Sequence, residues 1–315
     1  MCALFGFLSY GKRVPWKILQ KLVQALANAS EVRGNHAAGI AYNHDDCLTI
    51  FKRPKPAHKL HFRIPDGTAA VMGHTRLTTQ GDQKHNYNNH PFRGHSGTDF
   101  ALAHNGVLWN DTQLRKKLNL SGTQIETDSY IAVQLVEAQH ELTFDSLRYA
   151  AEQVRGYFTF TLLDQKDNLY FVKGESPLHL VHFPSLGLYV YSSTKEIMSA
   201  AFKQIPVRFP KYEVVEVKEG ELICIAQDGK ITRDHYTIQP DYTIYNSHWS
   251  GSCLCGWDKP EKDSCSDEDD YMLLLELCGY YGADPETVQY LRQLGYSYTE
   301  IEDFLMYPES YGAEL

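Results

Sequence analysis

The sequence predicts an α+β fold whose body carries two sheets and which ends in a small helical tail. Three observations lead there. Short apolar runs bounded by Gly, Asn, Asp and His recur from residue 2 to about 240, as strands do. Helical periodicity appears between some of these runs but not after each one, as alternating βαβ units would require. Near residue 240 the composition changes: residues 241–270 are rich in Tyr, Ser, Trp, Cys and Asp with no sustained period. Beyond them the apolar spacing turns helical.

In chain order, Cys2 to Leu8 is an apolar run closed by Ser9-Tyr10-Gly11, a buried strand entering a turn. Pro15 opens a helix whose face carries Ile18, Leu19, Leu22, Val23 and Leu26. Ala38–Ala41, Ala69–Met72 and Phe100–Ala103 suit central strands with polar loops at their ends. A second helix is expected to start near Asp128 and run through Ile131 and Val136, and a third to cover Phe144 to Val154. Four strands follow: Tyr157–Leu163, Leu169–Val172, His179–Phe183 and Gly187–Tyr191. Tyr212–Val217 and Glu221–Ala226 flank Lys218-Glu219-Gly220, which predicts a hairpin. In the tail, Asp284-Pro285 reads as an N-cap with Pro at the first helical position, and Val288, Leu291 and Leu294 share a face. Gly295 is expected to stop that helix. Ser297 to Glu300 is a capping-box pattern ahead of Ile301, Phe304 and Leu305. Residues 271–277 complete a three-helix unit, either a docking module or a tail packed on the body.

The 315 residues carry a formal net charge of −9, which argues against a general nucleic-acid binder. The charge is uneven: residues 246–315 balance at −12 and the remainder at +3. No apolar run approaches the roughly 20 residues of a membrane helix. The start lacks the basic residue and long apolar core of a signal peptide. Seven scattered cysteines then point to a reduced, cytoplasmic protein without a disulfide framework. The histidines and the Cys253, Cys255, Cys265 and Cys278 set show no metal-ligand spacing, so neither a metal nor another cofactor is expected.

The chemistry centres on Cys2. Removal of Met1 would place its thiol beside its own α-amine, which titrates near 7.7–8.0, about two units below a lysine, and can serve as its base. Gly73-His74-Thr75-Arg76-Leu77-Thr78-Thr79-Gln80-Gly81 puts an arginine in a Thr-rich loop after a buried strand, where its fork suits a carboxylate. His104-Asn105-Gly106 pairs a side-chain amide with a glycine N–H, a sound oxyanion pair. Glu126-Thr127-Asp128-Ser129 sets a carboxylate at a helix start. Taken singly, these residues also read as a structural cysteine, a surface arginine, a turn-forming Asn-Gly and an N-cap.

Together they resemble the class II glutamine amidotransferases, the N-terminal-nucleophile hydrolases that feed ammonia to synthases. The similarity runs through Cys2-Ala3-Leu4-Phe5-Gly6, Arg33-Gly34-Asn35-His36-Ala37-Ala38-Gly39-Ile40, and the segment Gly73 to Gly81. It continues in Asn88-Asn89-His90-Pro91, His104-Asn105-Gly106, Thr127-Asp128, Arg155-Gly156, Ser176-Pro177-Leu178 and Tyr191-Ser192-Ser193. It covers about residues 2–230 and is nearest to the glutaminase domains of glucosamine-6-phosphate synthase and phosphoribosylpyrophosphate amidotransferase. Ala3, His36, Leu77, Gln80 and Thr194 depart from the family pattern without removing a catalytic group.

Composition and apolar spacing give an acidic Cys-containing linker over 241–270 and a helical tail over 271–315. The resemblance implies a four-layer αββα sandwich over residues 2–240. It implies Cys2 as nucleophile, Asn105 and Gly106 as oxyanion hole, and Arg76 and Asp128 on the α-carboxylate and α-ammonium of L-glutamine, with Thr79 a minor contact. The residues after 245 are too few for the synthase domains that accompany this glutaminase elsewhere, so a stand-alone glutaminase domain with an ammonia acceptor bound in trans is expected, the acidic tail being a candidate docking element. The competing readings are a non-catalytic glutamine-sensing module and an N-terminal-nucleophile hydrolase of another amide.

Overall fold

Seven consecutive buried residues, Ala3–Ser9, form β1 at the centre of the body, and they explain its layering. Side chains alternate across a strand, so Ala3, Phe5 and Phe7 enter one core while Leu4 and Leu8 enter another. A strand buried on both faces has no polar side, which is why it reads as an unbroken apolar run.

The computed structural model describes residues 2–238 and, beyond them, Cys278, residues 284–294, Tyr296, Ile301, Phe304 and Leu305. After β1 come α1 (Trp16–Ser30), β2 (Ala37–His44), β3 (Cys47–Arg53), β4 (Ala70–Arg76), β5 (Phe92–His95) and β6 (Asp99–Leu108). Then follow α2 (Asp111–Lys117), α3 (Tyr130–Glu137), α4 (Phe144–Gln153), β7 (Gly156–Asp164), β8 (Leu169–Lys173), β9 (His179–Phe183) and β10 (Leu188–Ser192). The body closes with α5 (Lys195–Lys203), β11 (Glu213–Val215), β12 (Glu221–Ile225) and β13 (Ile231–His235).

Two antiparallel sheets result, one of seven strands in the order β11-β9-β10-β1-β4-β2-β3 and one of six in the order β13-β12-β8-β7-β6-β5. Leu22 and Leu26 of α1 and Met198 and Ala201 of α5 cover the outer face of the first sheet. Ile131 and Leu135 of α3 and Leu147 and Ala151 of α4 cover the second. Leu4, Met72, Ala103, Phe171 and Tyr191 fill the space between the sheets. Helix, sheet, sheet and helix make the four-layer αββα arrangement expected for the body.

The expected hairpin across Lys218-Glu219-Gly220 does not form. β11 pairs with β9 in the seven-stranded sheet, whereas β12 pairs with β8 and β13 in the other. The link therefore crosses between sheets, and the real hairpin turns at Gln227-Asp228-Gly229-Lys230, where Gly229 has φ +85°. Thr194, a departure from the family pattern, caps α5 by accepting from the Ile197 N–H at 3.4 Å.

The chain divides into two compact units, Met1–His248 and Trp249–Leu315. In the second, α6 (Pro285–Gln293) begins as expected, with the Asp284 carboxylate accepting from the Glu286 N–H at 2.9 Å. Val288 and Leu291 of α6 are buried with Cys278, Ile301 and Leu305. Gly295, the capping box at 297–300, the segment 271–277 and Cys253, Cys255 and Cys265 lie outside the described residues. Among the described residues no helix is long and apolar enough to cross a membrane.

Candidate active site

Pairing of β1 with β4 sets Ala3 opposite Thr75, so Cys2 and Arg76 share one strand end. The Cys2 thiol is buried and donates to the Leu77 carbonyl at 3.4 Å, and the Cys2 carbonyl accepts from Arg33 Nε at 2.9 Å. Burial pushes the thiol pKa up, while the Leu77 contact and the Arg76 charge oppose the rise and Asp128 adds to it. A protonated thiol is a weak nucleophile, so this cysteine needs a base.

The second wall of the site comes from the other sheet. His74 Nε2 donates across the gap to the His104 carbonyl at 2.9 Å, which fixes the His74 tautomer. His104 Nδ1 meets Ser129 Oγ at 2.8 Å. The next residue, Asn105, is wholly buried, and both its Nδ2 and its Oδ1 lack a hydrogen-bond partner. An unpaired buried amide costs roughly 1–3 kcal/mol unless something arrives to use it. Gly106 follows with φ +140°, and a Cβ there would sit 1.8 Å from the Tyr157 carbonyl oxygen, so only glycine fits.

Asp128 is 3% exposed and does not cap its helix. Its carboxylate instead accepts from the Leu108 N–H at 2.6 Å and from Ser129 Oγ at 3.2 Å, which anchors the entry of α3 to the end of β6. Its charge reaches both Cys2 and Arg76, so thiol, cation and anion lie within electrostatic reach of one another.

Arg76 is 3% exposed, with Nη1 donating to Asn89 Oδ1 at 2.7 Å and Nη2 to the carbonyls of Gln80 and Gly81. That loop is tied down by Glu126. The Gln80 amide donates to the Glu126 carbonyl at 2.9 Å, and Asn88 Nδ2 donates to the Glu126 carboxylate at 2.7 Å. Thr79 stands exposed in the loop, whereas the neighbouring Thr78 has a buried hydroxyl without a partner and an N–H donating to His36 Nδ1 at 3.1 Å. Cys2, Arg76 and Asp128 thus interact. The His74–His104 and Asp128–Leu108 bonds join β6, the strand of Asn105 and Gly106, to β4 and to Asp128, and Thr79 lies on the loop after Arg76.

Sequence reasoning assigned no role to Thr78, Asn89 or Lys52. Thr78 was legible as a hydroxyl in the arginine loop. Lys52 acts through backbone carbonyls distant in sequence and left no signal.

The histidines behind the site are scaffold. Burial lowers the pKa of His74 to about 3 and those of His90 and His104 as well. His90 stacks on His74 with ring centroids 4.1 Å apart. Among the described residues no group of three or more His, Cys, Asp or Glu side chains is placed to hold a metal ion.

Comparison with known proteins places the chain among relatives of known type. Residues 74–199 match the family described as glutamine amidotransferase domain. The glutamine–fructose-6-phosphate aminotransferase (isomerizing) of Staphylococcus aureus strain Mu50 is 33% identical over 261 residues, covering 76% of this chain and 40% of the relative. The Listeria innocua enzyme of the same name is 28% identical over 260 residues, with the same coverage. The chain therefore spans about 40% of the length of the curated relatives it matches. Among solved structures, glutamine phosphoribosylpyrophosphate amidotransferase from B. subtilis, complexed with ADP and GMP, superposes with a TM-score of 0.56 at 21% identity. The alignment covers 76% of this chain and 50% of that one. A structure described as the allosteric regulatory enzyme of purine biosynthesis gives a TM-score of 0.57 at the same identity and coverage. At that identity the likeness is one of fold.

Proposed function

The chain carries a glutamine amidotransferase domain of the class II, N-terminal-nucleophile type, and from that premise we propose that it hydrolyses L-glutamine to glutamate and ammonia at Cys2. The observation that carries the reading is Asn105: a buried, unpartnered amide one residue before a glycine at φ +140°. An amide meant for a ground-state protein partner would already have one. Left open, its N–H suits a negative oxygen that exists only during reaction.

Removal of Met1 frees the Cys2 α-amine, which takes the thiol proton. The thiolate attacks the glutamine carboxamide carbon, and the Asn105 amide and Gly106 N–H hold the resulting oxyanion. The ammonium formed from the amine returns its proton to the leaving nitrogen, and ammonia departs from a γ-glutamyl thioester. Water then attacks the thioester, the amine again acting as base, and glutamate leaves as the thiol is restored. Arg76 takes the substrate α-carboxylate and Asp128 the α-ammonium, a pair that selects a free amino acid over a peptide amide. Thr79 adds a minor contact from the loop. The ammonia passes to an acceptor enzyme bound in trans, and the acidic segment 246–315 docks that partner.

The test is glutamate release from glutamine by the mature protein, combined with labelling by a glutamine-like electrophile. Turnover together with a label on Cys2 is the expected outcome. Glutamine binding without label or turnover would favour the glutamine-sensing module instead.

A further inference from the structure

Arg76 closes β4, and the proposed chemistry needs its guanidinium in one orientation. Asn89 Oδ1 accepts from Nη1 at 2.7 Å, and Asn89 Nδ2 donates to the Gln83 carbonyl at 2.8 Å, so the amide is itself oriented from its other end. The backbone carrying Asn89 is held by Lys52, whose Nζ donates to the Asn89 carbonyl and, at 3.0 Å, to the Pro91 carbonyl. Lys52 also lies 4.8 Å from the centroid of the Phe92 ring, and its own carbonyl accepts from Asn86 Nδ2 at 3.0 Å. A buried ammonium is expensive to desolvate, and burial with the nearby Arg76 charge draws the Lys52 pKa down to about 8. Among the described residues no carboxylate pairs with it, and its ammonium donates to backbone carbonyls of the segment that carries Asn89.

We propose that Asn89, clamped by Lys52, is the positioning residue that aims the Arg76 guanidinium at the substrate's α-carboxylate. The proposal rests on the reading that Arg76 binds that carboxylate. The contacts with Asn89, Gln80 and Gly81 use Nη1 once and Nη2 twice. Nε and one Nη1 hydrogen stay outside this set, and each can donate singly to a ligand oxygen. Asn89 thereby fixes the plane of the fork, and Lys52 fixes Asn89, without either residue touching substrate.

The experiment measures glutamine affinity by calorimetry on the full chain, alongside kcat and KM, for the parent, Asn89→Ala, Lys52→Met and Lys52→Arg. The same set is run with glutamine α-amide, which has no carboxylate for Arg76 to hold. Asn89→Ala and Lys52→Met weaken glutamine binding and raise its KM by about tenfold while kcat stays within about twofold. Both leave the α-amide unaffected, and Lys52→Arg restores most of the affinity. A merely structural role would lower Tm and impair both substrates together, which overturns the proposal, as would unchanged glutamine affinity in Asn89→Ala. Failure of the parent to bind glutamine at all would overturn the functional reading and this inference with it, whereas a binding parent with an unaffected Asn89→Ala would sink this inference alone.

Discussion

A buried amide with neither its oxygen nor its nitrogen satisfied is a liability that most proteins avoid, and Asn105 carries it beside the glycine that only a narrow backbone path requires. On the proposed mechanism, Asn105→Ala lowers kcat by about 10²–10³ with little change in KM, the usual loss for one oxyanion donor. Cys2→Ala removes glutaminase turnover altogether. Gly106→Ala places a methyl 1.8 Å from the Tyr157 carbonyl, so a lowered melting temperature accompanies its loss of activity. Steady-state kinetics and thermal melts separate these three. Several of these residues were legible because their types are chemically unusual in context: an amine-adjacent thiol, an arginine ending an apolar strand, an Asn-Gly after another. Lys52 was not, because a lysine donating to distant carbonyls leaves the same sequence trace as any surface lysine, and Asn89 was readable only as part of the Asn88-Asn89-His90-Pro91 motif, without its contact to Arg76. Asp128 was legible in place but not in contact, since its carboxylate serves the Leu108 N–H rather than the helix it precedes.

At the scale of elements, strands buried on both faces declared themselves as unbroken apolar runs, and β1, β4, β6 and β7 were readable for that reason. β3 is partly exposed along its length and β5 has four residues, so neither produced such a run. The hairpin misreading at residues 218–220 has a clear cause: a glycine in a short link marks a turn but not which sheet receives the next strand. The join between β4 and β6 carries its own prediction. His74 is neutral in the fold, with its pKa moved from 6.5 to about 3 by burial. The unfolded chain therefore takes up protons first, and stability is full above about pH 6.5 and falls as the pH drops toward 3. His74 alone accounts for at most about 5 kcal/mol over that whole range, and His90 and His104 act in the same direction. Urea midpoints should thus decline between about pH 7 and pH 5, and His74→Gln, which keeps a donor for the His104 carbonyl, should flatten that decline. Equal slopes in parent and variant would contradict the assignment.

At the scale of the molecule, the two-sheet α+β body was legible because its order of elements excludes alternating βαβ units, whereas its four-layer stacking was expected only from the family resemblance. On the proposed reading the acidic segment docks the partner through its charge, since a balance of −12 over residues 246–315 against +3 elsewhere suits a basic partner surface. Deletion of residues 249–315, the second compact unit, is expected to leave glutamine hydrolysis within about twofold of the parent and to abolish salt-sensitive capture of the ammonia acceptor.

The central claim is that Cys2, freed at its amine, hydrolyses glutamine. The most direct measurement is intact mass of the purified protein before and after a glutamine-like electrophile, with ammonia and glutamate followed in the same preparation. The account predicts loss of Met1, a single adduct on Cys2 that excess glutamine blocks, and one ammonia released per glutamate. A protein lacking Met1 that binds glutamine yet neither takes the label nor releases ammonia would contradict it.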